Sequence, residues 1–338
     1  MTAQVLSTHT PALFNTAVQR AAALLRAGEV VALPTETVYG LAANALDEHA
    51  LEKIFQIKRR PANNPIIVHV VGMEMAKNCV KNFPAIAEKL SKSFWPGPLT
   101  IVLPRSEKIP EMVTAGGPTV GIRWPSHPFI QAVIRECGFP LAAPSANLSN
   151  QISPTNAEHV RKQLVGKISL IVDGGQSQVG IESTVLDLTV SPPHVLRPGM
   201  IHTKTLAVVM GEVGIRNPES RNNTEGTLRS PGQLKRHYSP KATLLVLSWH
   251  DDDNLQSQIR NSQFAIRNCF VIAHTKIPSP ENFAGVNVIP HDAEAFARAL
   301  YAELHRCDAA GAELIVVEAP PDSPEWSGIA DRLKRAAA

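Results

Sequence analysis

Apolar residues in the first half of the chain alternate between helical spacing and short unbroken runs. After Thr10-Pro11, the residues Leu13, Val18, Ala21 and Leu25 fall on one helical face. Thr10 is a good cap, Pro11 suits the first helical position, and Gly28 closes the helix. Glu29–Leu33 then reads as a short strand stopped by Pro34. Asp47 is positioned to cap a helix over Leu51–Lys58, and PIIVHVV (Pro65–Val71) reads as a buried strand. Helical spacing returns near Met73–Val80 and Pro84–Ser93. Leu99–Pro104, Thr119–Arg123 and Leu141–Ala143 are short strands broken by prolines. Ser153 or Thr155 is expected to cap a helix through Leu164. Leu170–Val172, Ser183–Asp187 and His194–Arg197 complete a strand-rich half. This pattern predicts an α/β domain over 11–210, with a mixed, strongly twisted open sheet and helices.

The rhythm changes after about Val213. Between Arg216 and Gln233 the only aliphatic side chain is Leu228, so 211–240 reads as a linker. Past Pro240, Ala242–Ser248, Cys269–Ala273 and Glu313–Ala319 are strand-like. Asp292 caps a long helix through Arg306, and a short helix covers Ile329–Ala336. Strands alternating with helices predict a small, Rossmann-like parallel α/β domain over 241–338.

Composition narrows the function classes. The 338 residues are 44% hydrophobic and 19% charged, which is enough apolar material for a sizeable core and excludes a mainly disordered chain. The net charge of +3 does not point to nucleic acid, and 5% aromatics argue against a stacking platform for single strands. That charge is unevenly spread: residues 216–241 carry six Lys or Arg against two acids. A basic linker suits a polyphosphate, and we expect it to act as a mobile lid. The four cysteines form no CxxC pair, and the twelve histidines make no HExxH or HxH, so no protein-held metal is expected. No apolar run is long enough to span a membrane, and the N-terminus has no basic-then-apolar leader, so the expected compartment is the cytoplasm.

Common nucleotide motifs are missing: there is no Walker A sequence, no GxGxxG after a strand, and no GxSxG elbow. The chemistry-bearing residues instead cluster at strand ends. Thr35, Glu36 and Thr37 follow Pro34, where a turn could aim hydroxyls and amides at a ligand or simply be a turn. Lys58-Arg59-Arg60 closes a helix and enters the turn Pro61–Pro65. Cations there often only complement the helix dipole on a solvated face, and as a solvated cation contributes little to stability, Lys58→Ala is expected to abolish any turnover while leaving folding intact. A rigid basic turn equally suits phosphates. His69, in its strand, is by ordinary expectation a packed core histidine. Ala143–Ser149, Glu182–Ser183 and Arg197-Pro198-Gly199 add hydroxyls, amides and a cation, and Arg123 adds another.

These residues, in order, resemble a known family. Pro34–Leu41 (PTETVYGL), Lys58 and Arg60 with the following PANNP, Trp95–Thr100 (WPGPLT), Gly121–Pro125 (GIRWP), Ala143–Asn147 (APSAN), Ser153–Thr155 (SPT) and Glu182–Asp187 (ESTVLD) are similar to the YrdC-type threonylcarbamoyl-AMP synthases. The stretch Ser230–Pro240 and the second α/β domain resemble the long, two-domain form. The resemblance implies synthesis of L-threonylcarbamoyl-adenylate from L-threonine, bicarbonate and ATP, taken with Mg2+, with release of pyrophosphate. A downstream threonylcarbamoyl transferase complex would modify the tRNA adenosine next to the anticodon, with at most weak tRNA contact by this chain. By motif match, Lys58 and Arg60 are the catalytic cations on the ATP phosphates. Asn64, Thr119, Ser145, Asn147, Ser153, Arg197 and Tyr238 would also contact the nucleotide, with Tyr238 closing over it. Thr35, His69, Arg123, Ala143 and Ser183 would surround threonine, Arg123 pairing its carboxylate. An alternative is a non-catalytic tRNA or double-stranded RNA-binding module using the basic face. Another is a carbamoyl-adenylate domain like those of hydrogenase maturation factors, although the zinc-finger cysteines and acylphosphatase module usual there are missing.

Overall fold

The computed structural model describes residues 3–211, 228–232, 234–262, 264 and 266–338. Its first element, β1 (Gln4–Ser7), carries little sequence signal and owes its place to parallel pairing with β8 (Leu170–Asp173). Helix α1 (Pro11–Arg26) starts as its sequence predicts, with the Thr10 hydroxyl accepting the Leu13 N–H. Then come β2 (Val31–Leu33), β3 (Gly40–Asn44), α2 (Glu48–Lys58), β4 (Val68–His69), α3 (Met73–Asn78) and α4 (Ala85–Phe94). They are followed by β5 (Leu99–Pro104), β6 (Thr119–Arg123), α5 (Pro128–Cys137), β7 (Leu141–Ala142) and α6 (Ala157–Leu164). β9 (Thr184–Asp187), β10 (His194–Arg197) and α7 (Thr203–Met210) close this half.

These strands form one ten-stranded mixed sheet in the order β1-β8-β2-β3-β7-β4-β6-β5-β9-β10. Its central strands are apolar on both sides, so they read as runs and not as alternations. Val31, Leu33 and Ala42 pack on one face against Ala17, Ala21 and Leu25 of α1 and Phe129, Ile130 and Val133 of α5. Their neighbours Ala32, Leu41 and Ala43 pack on the other face with Leu51 and Ile54 of α2, Leu90 of α4 and Val160 of α6. The result is three layers, with loops left at the strand ends.

Three local expectations need correction. The predicted strand Pro65–Val71 pairs as a ladder only at Val68–His69. On either side, Ile66 donates to Val113 O, outside any strand, and Val70 to Arg123 O, where the register ends. Neither Ser153 nor Thr155 caps α6. Asn156 does, its side chain accepting the His159 N–H at 2.9 Å, because Ser153 is held by Glu182 and Thr155 by His159. Helix α5 was not foreseen, although Phe129, Ile130, Val133 and Ile134 have helical spacing.

The chain separates into two units, Met1–Ser149 with Ser153–Gln233, and Asn150–Ile152 with Leu234–Ala338. Of the expected linker, residues 212–227 and 233 lie outside the described residues, and with them most of the proposed lid. In the second unit, β11 (Thr243–Leu247), α8 (Asp252–Asn261), β12 (Cys269–Ala273), β13 (Gly285–Val288), α9 (Ala293–Ala309), β14 (Leu314–Glu318) and α10 (Ser327–Ala336) follow in turn. Its sheet is wholly parallel, in the order β11-β14-β12-β13. Leu255 and Ile259 of α8 pack on Cys269, Val271, Leu314 and Val316. The Asp292 side chain accepts the Ala295 N–H and starts α9, as expected. The fold is therefore the α/β pair anticipated: a twisted mixed sheet with helices, and a small parallel sheet.

Candidate active site

Lys58 ends α2, and Arg59 terminates the helix in a left-handed conformation (φ 52°). This turn leaves Arg59 exposed, while Lys58 is buried at 1% exposure. The Lys58 ammonium donates to three acceptors on the loop after β7: Ser145 O at 2.6 Å, Asn147 O at 2.7 Å and Asn147 Oδ1 at 2.9 Å. Burial, with Arg60 nearby, holds its pKa well below the ordinary lysine range, and Glu182 acts in the opposite direction. The expectation of a solvated face is thus wrong for Lys58. Its reason is tertiary: the acceptors arrive from 87 and 89 residues further on. The Ser145 hydroxyl completes the group at 2.6 Å from Asn147 Oδ1.

Arg60 folds back over its own turn. Nε donates to Asn64 O at 3.0 Å, and Nη2 to Asn64 Oδ1 at 2.9 Å and Pro65 O at 2.5 Å. Lys58, Arg60, Asn64, Ser145 and Asn147 therefore form one basic, donor-rich group at the end of α2. Ser153 is buried with its hydroxyl 2.5 Å from Glu182 Oε1. The backbone near it is tied in by Tyr39, whose N–H donates to Pro154 O and whose carbonyl accepts from Ala146.

A second group gathers around Arg123 at the C-terminal end of β6. Nη1 donates to Thr37 Oγ1 at 3.0 Å, Nε to Gly97 O at 3.2 Å, and Nη2 lies 2.6 Å from Glu36 Oε1. Thr35 Oγ1 is 3.0 Å from Thr37 Oγ1 and donates to Val38 O. His69 is the register partner of Arg123 on β4. Burial, then the Arg123 charge, pushes His69 down to about 3, so it is neutral at neutral pH. Its Nδ1 is buried without a hydrogen-bond partner. Ser183 is 2.8 Å from the Thr100 hydroxyl, and Arg197 donates to both Ser183 O and Oγ at 3.0 Å. Gly199 makes this possible: a Cβ there would lie 2.6 Å from Thr184 N and 2.8 Å from Glu182 O. Ala143 is buried, its N–H donating to Ile67 O, and its Cβ would be 3.2 Å from one added at Gly40.

Two further expected residues lie on other elements. Thr119 begins β6, four residues before Arg123, opposite Pro104. It is expected on the nucleotide, and at about 3.3 Å per residue it lies roughly 13 Å along the strand from Arg123. Tyr238 belongs to the second unit. There its ring is buried and stacks on Tyr301 at 5.9 Å, with the Arg332 guanidinium 5.0 Å from its centroid.

The sequence matches the family described as Telomere recombination, which groups Sua5, YciO and YrdC, over residues 23–199. It matches the threonylcarbamoyl-AMP synthase C-terminal domain over 201–338. A Pyrococcus abyssi protein named threonylcarbamoyl-AMP synthase is 40% identical over 319 residues, covering 94% of this chain and 92% of its own. This chain belongs to the threonylcarbamoyl-AMP synthases, a family of enzymes. A Bacillus subtilis member is 40% identical over 341 residues, covering 98% of this chain and 94% of its own. The crystal structure of P. abyssi Sua5 complexed with L-threonine superposes with a TM-score of 0.90 at 37% identity, covering all of this chain and 98% of the other.

In this threonylcarbamoyl-AMP synthase family member, the structure gives partners to four side chains to which the motif match assigned no role: Glu36, Thr37, Thr100 and Glu182. Each sits inside or beside a quoted motif, but only pairing distances separate it from an ordinary turn residue. Among the described residues, no group of three or more His, Cys, Asp or Glu could hold a metal ion, and no helix is long and apolar enough to cross a membrane.

Proposed function

We propose that the chain condenses L-threonine, bicarbonate and ATP into threonylcarbamoyl-adenylate and pyrophosphate, for later transfer to the tRNA adenosine next to the anticodon. The carrying observation is the pairing, in one unit, of two groups each built around a buried cation. One is rich in donors and cations (Lys58, Arg60, Ser145, Asn147). The other sets the Arg123 guanidinium among hydroxyls (Thr35, Thr37 and Ser183), with Arg197 on the far side of Ser183. The first suits a triphosphate and the second an α-hydroxylated amino acid. Membership of the family and a relative crystallised with L-threonine support the same assignment.

On this reading the protein supplies positioning, charge neutralisation and dryness more than a nucleophile. Threonine's amine and bicarbonate give a carbamate, whose oxygen attacks the α-phosphorus as pyrophosphate leaves. Arg60 and Arg197 meet the charge that builds on phosphate and leaving group. Lys58 acts mainly as the post that holds the Ser145–Asn147 turn, and a phosphate oxygen would replace one of its three acceptors. Arg123 takes the threonine carboxylate. Neutral His69 can exchange a hydrogen bond without adding charge. Burial of Thr35, Lys58, His69, Asn147, Ser183 and Arg197 excludes water, which matters because carbamate and adenylate both hydrolyse readily. The described residues offer no carboxylate cage, so magnesium enters on the phosphates of ATP as part of the substrate.

The test is pyrophosphate release by the full chain. It should require threonine and bicarbonate together, and equal release without any amino acid would refute the proposal. Salt-sensitive tRNA binding with no ATP turnover would favour the RNA-binding alternative.

A further inference from the structure

Glu36 has no role in the scheme above, yet its side chain is buried beside Arg123. It is 4% exposed and lies between Thr35 and Thr37 in the loop from β2 to β3. Its Oε1 sits 2.6 Å from Arg123 Nη2 as a charge contact without an aligned hydrogen bond, and Oε2 has no hydrogen-bond partner. The Glu36 backbone carbonyl is used, accepting from Val179, so the loop is fixed while the carboxylate is not. A buried carboxylate with an idle oxygen is costly unless something else completes its shell. The groups facing it are Arg123, whose Nη1 and Nε are committed to Thr37 and Gly97, and His127, which feels the Glu36 charge. His69 adjoins Arg123 and is neutral.

A free α-amino acid brings two opposite charges about one carbon apart. Arg123 answers the carboxylate. Hydroxyls of Thr35, Thr37 and Ser183 do not neutralise an ammonium. Glu182, the other buried acid nearby, is taken up by Ser153. This leaves the Glu36 carboxylate beside the Arg123 guanidinium.

Resting on the function proposed above, we propose that Glu36 binds the α-ammonium of the amino acid next to Arg123 and accepts the proton that its nitrogen loses on carbamate formation. The ammonium sheds one proton to the Glu36 carboxylate, and its lone pair forms the N–C bond to bicarbonate. The C–OH bond of bicarbonate breaks, and the hydroxide leaves as water with a second ammonium proton. R–NH3+, HCO3− and a carboxylate thus become R–NH–COO−, water and a carboxylic acid, with atoms and charge conserved. Glu36 therefore touches the substrate, and its contact with Arg123 in the ligand-free chain is the arrangement that a zwitterion would bridge.

The experiment measures calorimetric affinities of the full chain for L-threonine and for (2S,3R)-2,3-dihydroxybutanoate, which replaces the ammonium with a hydroxyl. Glu36→Gln should weaken threonine about 10–100-fold, the span of one hydrogen bond to a charged group, and the hydroxy acid less than about threefold. Equal weakening of both ligands would overturn the proposal and leave Glu36 as a support for Arg123. Because the readout is a ratio of two affinities, partial unfolding does not move it. If Glu36→Gln does not fold, Glu36→Asp is measured instead: threonine must lose more than the hydroxy acid, and equal losses overturn the proposal. A wild-type chain that binds no threonine would overturn the proposed function as well, an outcome distinct from equal weakening.

Discussion

Replacing Lys58 by methionine separates a buried post from a solvated phosphate hook. The side chain is 1% exposed and its ammonium makes three hydrogen bonds of 2.6–2.9 Å to the 145–147 turn. Hydrogen bonds to a charged group contribute about 1.5–3 kcal/mol each, against a desolvation cost of several kcal/mol for the buried ion. Two acceptors keep another donor: Ser145 O the Asn147 N–H, and Asn147 Oδ1 the Ser145 hydroxyl. The net loss should therefore be about 3 kcal/mol, well short of the sum. For a unit of this size each kcal/mol moves the midpoint by about 2–4 °C, so the Tm of the first unit should fall by about 6–12 °C in differential scanning calorimetry. Arg60→Met serves as comparison, because Arg60 is only half-buried and bonds within its own turn; its Tm should fall by less than half as much. Turnover should be lost in both. A Lys58→Met Tm within about 2 °C of wild type would refute the reasoning and return Lys58 to a solvated role.

His69 charges in the unfolded chain near pH 6.5 but in the folded chain only near about 3, so the unfolded state binds the extra proton between these values. Its contribution to stability is complete above pH 6.5 and is lost as pH falls towards 3, at up to about 1.4 kcal/mol per pH unit. His69→Gln should reduce proton uptake on unfolding at pH 4–5 by close to one, and an unchanged uptake would contradict its burial as a neutral imidazole. Asn156→Ala should cost about 1 kcal/mol as a lost helix cap while leaving threonine affinity unchanged; Ser153→Ala lowering helix stability equally would revive the original cap assignment. In the second unit the Glu318 carboxylate accepts the N–H groups of His274, Thr275 and Lys276 and the Thr275 hydroxyl. Those bonds hold its pKa below the usual range against burial, so its stabilisation is present at neutral pH and lost on acidification. Glu318→Gln should lower the thermal midpoint of that unit at pH 7 and leave a smaller difference from wild type at pH 4.

What was legible in the sequence was local. Thr10, Asp47 and Asp292 were recognisable as caps because each bonds an N–H within three residues. Strand β3 was not, since Gly-Leu-Ala-Ala-Asn carries no β-branched residue and its partners, β2 and β7, are set by tertiary structure. Helix α5 had the right spacing, but prolines 125 and 128 disguised it as loop. The same divide runs through the site. Motif order located Lys58, Arg60, Ser145 and Asn147, whereas the burial of Lys58 depends on a loop 87 residues away. Thr119 and Arg123 are close in sequence and lie at opposite ends of one strand. Glu36 stood in plain view inside PTETVYGL, but its importance rests on a contact with Arg123 that spacing does not reveal.

The central claim is that one site joins three substrates in a single product. It is tested most directly by incubating the full chain with ATP, L-threonine and 13C-bicarbonate and reading the product by mass spectrometry. The account predicts a threonylcarbamoyl-adenylate one mass unit heavier than with unlabelled bicarbonate, formed with one pyrophosphate per molecule and only when threonine is present. An unlabelled adenylate, or pyrophosphate release undiminished without threonine, would contradict it.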